Sequence, residues 1–452
     1  MRKITIVGGG ASGTLLAVNL SSVSAETPLS ITLVESRSRI GRGVAFSTKF
    51  DCHLLNVPAG KMSAFPDEPD HFLNWLTSNG HGFEASDFVP RRLFGEYLTA
   101  LLDERCRMAS GNVRFASIEE EAVSLEVNGS TSKLHLASGT TIDVDAAVLA
   151  FGNFLPPHPT VPDLSFISAN KYIRDVWADD AFETVQPDDQ VLIVGTGLSM
   201  VDVVLRLRSS GHKGKITSIS TRGLLPAVHK LGFHYDPFFD EIRGSTRITE
   251  IFTAVRKHAR RAGEANSDWR AVIDSLRPYT QRLWQGLPIA EKRYFLQHLS
   301  RYWNAARHRM PPAVAAVIDE MQKEGSLEIV SGRLRHISID NKGDFLVNAI
   351  RDGEQSYLNA NVLVNCIASQ SNFAHIESEF VRDLLAKGLI SCDPLCQGLD
   401  ATPDGQLLNA AGEPSVPLWT LGTALKGTLW ETTAIPEIRV QAAKLAKRLV
   451  LE

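Results

Sequence analysis

The opening twenty residues restrict the fold more than any other stretch. Residues 3–7 form a short β-branched run, Gly8-Gly9-Gly10-Ala11-Ser12-Gly13 spells G-x-G-x-x-G, and residues 14–20 continue with the spacing of a buried helix. Each glycine at that spacing has a mechanical reason. Gly8 permits the tight turn, Gly10 lets a pyrophosphate approach bare backbone, and Gly13 lets helix and strand pack closely. The first helical residues, Ala11 and Ser12 among them, then present unpaired N–H groups to the phosphates. A second strand over 29–34 ends in Glu35 and Ser36, where an acid can hold a ribose hydroxyl. A glycine turn alone would be weak evidence. Strand, turn, helix, strand and terminal acid together predict a dinucleotide-binding α/β unit.

At 452 residues the chain is long enough for two or three domains. A second unit of the same kind starts at residues 190–194 and turns through Gly195-Thr196-Gly197-Leu198-Ser199-Met200 into a helix over 201–208. Met200 stands where the third glycine would be, which predicts slightly looser helix packing. The next strand, 216–220, ends in Thr221-Arg222 instead of an acid. An arginine there can pair bidentately with an adenosine 2′-phosphate, which favours NADPH over NADH. The expected fold class is therefore α/β, with two Rossmann-like dinucleotide-binding domains and a helical insertion.

Between the two glycine turns, the loop 41–46, with Gly43 and Val44, can lay backbone against a ligand. Residues 53–66, including Asn56, Pro58, Met62 and Ser63, suit either a loop over a flat cofactor or a buried connection. Helical spacing marks 71–76 and 91–106, and the apolar strand 146–151 stops at Gly152. Pro156, Pro157, Pro159 and Pro162 then place a domain boundary near 153–165. Residues 225–324 are helical and carry Trp269, Trp284, Phe295, Trp303 and the cluster Arg307-His308-Arg309. Those cations either reach an anionic substrate or, as charge runs ordinarily do, lie on a solvated face. Short strands return over 327–350, a second apolar strand end falls at 362–368, and a strand at 418–422 ends in Gly422 before a helix running to 449.

Charge is balanced, 47 Lys+Arg against 51 Asp+Glu, so a net of -4 argues against nucleic acid or an anionic membrane as partner. No apolar run reaches membrane-spanning length and the N-terminus enters a strand directly, which predicts a cytoplasmic protein without a signal peptide. The five cysteines are an odd number, and the C-x-x-x-C of Cys392 and Cys396 has neither redox nor zinc spacing, so no metal is expected.

Taken together, GGGASG, GRGVAF, HLLNVPAGKMS, VLAFGN, GTGLSMVD and LGTALKGTLWETTAIPEIRVQA resemble bacterial FAD/NAD(P)-binding flavoproteins of largely unassigned function, relatives of the two-domain flavin monooxygenases that include N-hydroxylating enzymes. The resemblance covers nearly the whole chain and is weakest over the insertion. It implies FAD held by both ends of the chain, with Gly8, Gly10, Ala11, Ser12, Gly13, Glu35, Ser36, Gly43, Val44, Asn56, Pro58, Met62, Ser63 and Gly152 on one side. Gly422, Trp430, Glu431, Thr432 and Thr433 would close from the other, the helix after Thr432 aiming its N-terminus at the flavin. NADPH would take Gly195, Gly197, Leu198, Ser199, Met200 and Arg222. The implied domains are FAD-binding over 1–158 and 361–452, NADPH-binding over 159–224 and 325–360, and the insertion over 225–324. The fingerprint of Baeyer–Villiger enzymes and the cysteine pair of disulfide reductases are both missing. An NADPH-using monooxygenase acting with O₂ on a small nucleophile such as an amine is the first expectation. A reductase or dehydrogenase that inserts no oxygen, and a redox sensor or structural FAD protein, are the alternatives. No side chain is singled out as catalytic, because the cofactors carry the chemistry.

Overall fold

The computed structural model describes residues 1–23, 28–36, 40–108, 112–128 and 131–451. Two parallel sheets organise it. In the first, Arg2–Val7 pairs in parallel with Leu29–Glu35 on one side and Ala146–Leu149 on the other, so that Ile4 faces both Ile31 and Ala146. Val113–Glu119 and Pro414–Thr420 extend it in parallel, and Gln406–Leu408 closes an antiparallel edge. Ala146–Leu149, at its centre, is buried on both faces and reads as an unbroken apolar run, which is why it is visible in the sequence, whereas the more exposed Val113–Glu119 and the short Gln406–Leu408 are not among the strands read there. Helices Ala11–Ser22, Arg91–Met108 and Ile435–Leu451 cover one face through Leu15, Phe94, Leu98, Ile438 and Leu445. The other face carries a three-stranded antiparallel sheet (Ala122–Asn128, Thr131–Leu136, Thr141–Val144) and helix Glu379–Ala386.

The second sheet repeats this layering. Its order is Leu327–Ser331, Ile216–Ser220, Val191–Val194, Val362–Asn365, Tyr172–Ile173. Helices Leu198–Ser209 and Pro312–Lys323 lie on one face and the antiparallel strands Arg333–Ile339, Phe345–Arg351 and Glu354–Ala360 on the other.

Two segments lie in a different unit from the one expected. Strand Val362–Asn365, expected to open the C-terminal FAD portion at 361, runs along Val191–Val194 with Val362 opposite Val191. A four-residue buried apolar strand fits the interior of either sheet, so its composition does not choose between them. Helix Pro312–Lys323, expected inside the insertion, packs Val314, Ala315, Ile318 and Met321 into the second core, forming the crossover that leads into Leu327–Ser331. The loop expected at 41–46 contains a helical turn, Gly43–Phe46.

The remaining insertion, from Phe239–Ile242 to Ser300–Arg307, builds its own core from Ile248, Ile251, Val272, Leu276, Trp284, Leu287 and Phe295, and Trp430 of the tail completes it. The units are also joined directly. Arg91 pairs with Asp202 at 2.8 Å, and the Asp202 carbonyl lies 2.9 Å from His53 Nε2. All five cysteines are free thiols. Among the described residues no helix is long and apolar enough to cross a membrane, and no His, Cys, Asp and Glu cluster could hold a metal.

Candidate functional site

The carboxyl ends of the central strands of the first sheet bring the expected FAD residues together. Gly8 adopts φ +109°, and a Cβ there would drive into the Ala150 carbonyl; a Cβ on Gly13 would drive into that of Gly8. Strand, turn and helix are therefore pressed together as closely as backbone allows. The Gly9 N–H donates to Glu35 Oε2 at 2.8 Å, which fixes the carboxylate at the strand end. Helix Ala11–Ser22 starts after Gly10 with no side-chain cap and no acid in its first turn, so its leading N–H groups face outward without a side-chain acceptor. Around Gly10 an added Cβ would touch only the Cα of Gly43, at 3.4 Å. Bare backbone, uncapped helix and a fixed carboxylate are what a pyrophosphate and ribose require, and FAD fits here.

The tail reaches the same end. Gly422, φ +75°, lies against Ser12, and Thr423 Oγ1 donates to the Gly152 carbonyl. Thr420 Oγ1 donates to the Leu149 carbonyl, and Arg439 Nη1 donates to the Ser63 carbonyl at 3.0 Å. Gly43 and half-buried Val44 complete the rim, while Ser36 and Thr433 are exposed. Several expected contacts are spent elsewhere. Met62 is core, Pro58 is buried, and Ser63 Oγ donates to the Glu68 carbonyl at 2.6 Å. Of that stretch Asn56 keeps a bridging role, its carbonyl accepting from His229 Nε2 at 2.9 Å.

Trp430, Glu431 and Thr432 face the insertion or the tail itself. Trp430 sits at φ 62°, ψ -71°, and Glu431 N donates to Leu429 O at 2.8 Å, a γ-turn of the strained kind. Its ring stacks on Trp284 at 5.0 Å and meets Phe295 edge-on. The strain is held by contacts from the insertion: Trp284 Nε1 to the Gly427 carbonyl at 2.8 Å, Trp303 Nε1 to Glu431 Oε1 at 3.0 Å, and Gln281 Nε2 to the Glu431 carbonyl. Arg277 clasps Glu437 through two bonds of 2.6 and 2.9 Å. Buried Thr432 donates to the Gly422 carbonyl at 3.0 Å. The Arg307-His308-Arg309 cluster is not a solvated face. Arg309 is 2% and Arg307 11% exposed. Nothing in residue type separates these positions from ordinary surface arginines, because their burial comes from the tail packing against them.

The second turn repeats the first with a more open surround. Gly195, φ +114°, has the Cys366 carbonyl where a Cβ would go, and nothing lies within 4 Å of a Cβ on Gly197. Helix Leu198–Ser209 again starts on a glycine without a side-chain cap, with Leu198 and Ser199 partly exposed. Met200 is fully buried, so only its backbone can face a phosphate. Arg222 is exposed at the end of the adjoining strand and has no ion-pair partner among the described residues, leaving its guanidinium available. A second dinucleotide fits this turn.

Burial sets the protonation of the groups between these sites. It pushes His229 down to about 4, and the Asn56 carbonyl requires the proton of the neutral ring on Nε2. His308, Arg307 and Lys426 are each pushed down by burial, with Glu431 opposing in the first two and Asp393 in the third.

Residues 5–154 match a family model described as FAD-NAD(P)-binding. The chain is similar to an L-aspartate N-monooxygenase (nitrosuccinate-forming) of Streptomyces davaonensis, 23% identical over 265 residues, which is 48% of this chain and 40% of that protein. The match thus spans less than half of that curated relative. Among solved structures, L-lysine 6-monooxygenase from Pseudomonas syringae superposes over 100% of both chains with TM-score 0.65 and 15% identity. The ornithine N-hydroxylase of Kutzneria sp. 744 superposes over 99% of both chains with TM-score 0.64 and 13% identity. The fold is that of the two-dinucleotide-domain flavoproteins, in agreement with the resemblance read from the sequence.

Proposed function

We propose that this chain is an FAD-dependent, NADPH-using N-monooxygenase that oxygenates a small amine with O₂. The observation that carries this reading is the pairing of two uncapped glycine turns, one enclosed by the chain's own tail and one left open. An enclosed turn suits a resident cofactor and an open one a nucleotide that comes and goes. The activities named for the similar proteins, acting on aspartate, lysine and ornithine, support it, as does the family model over the first unit. Free thiols throughout fit a cytoplasmic enzyme.

In this reading Gly8–Gly13 and Glu35 hold the pyrophosphate and ribose of FAD, and Gly195–Ser199 with Arg222 hold NADPH. Bound FAD supplies the electron transfer and oxygen chemistry. The chain's own residues orient and enclose. The Trp430 γ-turn, anchored by Trp284, Trp303 and Gln281, fixes the tail over the site and excludes water from it. Neutral His229 ties the insertion to residues 53–58 without adding a charge there.

The test is anaerobic reduction with NADPH, then exposure to air with a panel of amines while hydroxylamine or nitro products are assayed. Amine-dependent product supports the proposal. NADPH oxidation that yields only hydrogen peroxide or reduced acceptors, with every amine recovered unchanged, would replace it with the reductase reading.

A further inference from the structure

Arg307 and Arg309 stand two residues apart at the end of helix Ser300–Arg307, yet their partners differ. Arg309 donates Nε to the Ala306 carbonyl at 2.8 Å, Nη1 to Asp274 at 2.8 Å and Nη2 to the Arg270 carbonyl at 3.2 Å. Arg307, almost as deeply set, donates no hydrogen bond to any described residue. Its ionic neighbour is Glu431, 3.4 Å from Nη2, and that carboxylate already accepts from Trp303. Lys426 holds its ammonium 5.3 Å over the Trp430 ring and likewise has no acceptor among the described residues. The imidazole of His308 makes no hydrogen bond among them either, and it lies within electrostatic reach of Arg307, Lys426 and Glu431.

A guanidinium carries five donors, and no nitrogen of Arg307, His308 or Lys426 is both buried and unpartnered, so their unused donors stay within reach of solvent or of a ligand. Arg277 is matched by Glu437 and Arg309 by Asp274. Asp393 lies toward Lys426 and Lys292 but accepts from the amides of Leu395 and Gln397, at 2.8 and 2.6 Å. Arg307 and Lys426 therefore face Glu431 and Asp393 with no hydrogen bond to either carboxylate.

We propose that Arg307, His308 and Lys426 form a carboxylate-binding subsite, so that the ligand drawn to this junction is a small molecule bearing an anionic carboxylate. The subsite needs no assumption about the reaction; that its ligand is the amine substrate rests on the N-monooxygenase reading. A carboxylate matches the planar fork of Arg307, whereas the dinucleotide phosphates have their own turns at the two sheet ends. Because burial lowers the His308 pKa, its neutral ring would add one N–H donor and no charge.

Calorimetric titration of the FAD-loaded enzyme with succinate, with uncharged succinamide as isostere and adenosine 2′,5′-bisphosphate as the nucleotide arm, tests this. Succinate should bind and succinamide should not. Arg307→Gln should weaken succinate at least tenfold, about 1.4 kcal/mol, while FAD content and bisphosphate affinity stay unchanged. Should Arg307→Gln lose FAD or fail to fold, Lys426→Met carries the same expectation. Equal affinity for succinate and succinamide, unchanged succinate binding in the FAD-loaded variants, or an equal loss of bisphosphate binding would overturn the subsite. Tight succinate binding with no amine oxygenated would keep the subsite and remove the proposed function. Oxygenation of uncharged amines by an enzyme indifferent to succinate would do the reverse.

Discussion

The turns at 8–13 and 195–200 follow the same backbone path and differ in what encloses them. Both begin with a glycine at strongly positive φ, pressed against a carbonyl at a neighbouring strand end, and both feed an uncapped helix of 12 residues. The first is then closed in by Gly43, by Ser12 against Gly422, and by a tail locked to the insertion. The second keeps open space over Gly197, buries Met200 where Gly13 has no side chain, and ends its partner strand in Arg222 instead of Glu35. One glycine-turn geometry thus yields an enclosed surface or an accessible one according to its surroundings.

The harshest test puts a branched residue on each turn. Gly13→Val drives a side chain into backbone that cannot retreat, and should give protein without FAD and destabilised by about 3 kcal/mol or more; Gly197→Val should remain folded and yellow with NADPH reduction slowed. Absorbance at 450 nm and stopped-flow reduction check the pair, and a yellow, stable Gly13→Val protein would erase the contrast.

Arg222→Ala should come next, lowering the preference for NADPH over NADH by roughly ten- to a hundredfold, since a charge-assisted bidentate pair contributes about 1.5–3 kcal/mol. Equal reduction rates with both nucleotides in the wild type would take Arg222 out of the nucleotide site.

The contact between His229 and the Asn56 carbonyl is sensitive to acid. His229 has a folded-state pKa of about 4, below the 6.5 of the free side chain, so protonation favours the unfolded chain. Its contribution is intact above pH 6.5 and is lost as pH falls toward 4, about 1–2 kcal/mol between pH 7 and 5 by linkage, allowing for partial solvent screening. Denaturant titrations across that range should show the loss in wild type and a flatter profile in His229→Asn; parallel profiles would sink the assignment.

The smallest effect belongs to Glu35→Ala, which strips the Gly9 N–H of its acceptor. It should cost about 1 kcal/mol and lower FAD occupancy after dialysis, whereas Thr221→Ala at the matching end of the second unit should leave occupancy unchanged.

Much of this architecture was legible because it is local. The glycine turns, the apolar strands and the helices after them depend on residues close together in sequence, where steric rules act directly. The tail was legible only as a strand and a helix. Trp430, Glu431 and Thr432 looked like flavin contacts, but their side chains meet Trp284, Trp303, Arg307, Gln441 and the Gly422 backbone. Those partners lie far away in the chain or across the turn, and no spacing rule reaches them.

By itself, then, the sequence determined two dinucleotide-type units, their glycine turns, and the change from Glu35 to Arg222, because a turn that must bring backbone to a phosphate tolerates few residues. Only the tertiary structure decided that Val362–Asn365 serves the second sheet, that Pro312–Lys323 is its crossover, and that Arg309 is hydrogen-bonded within the fold while Arg307 keeps only the ion pair with Glu431. Sheet membership and the burial of a charge are set by which distant segments pack together, and two arginines two residues apart are chemically identical until the fold gives one three hydrogen bonds and the other a single ion pair.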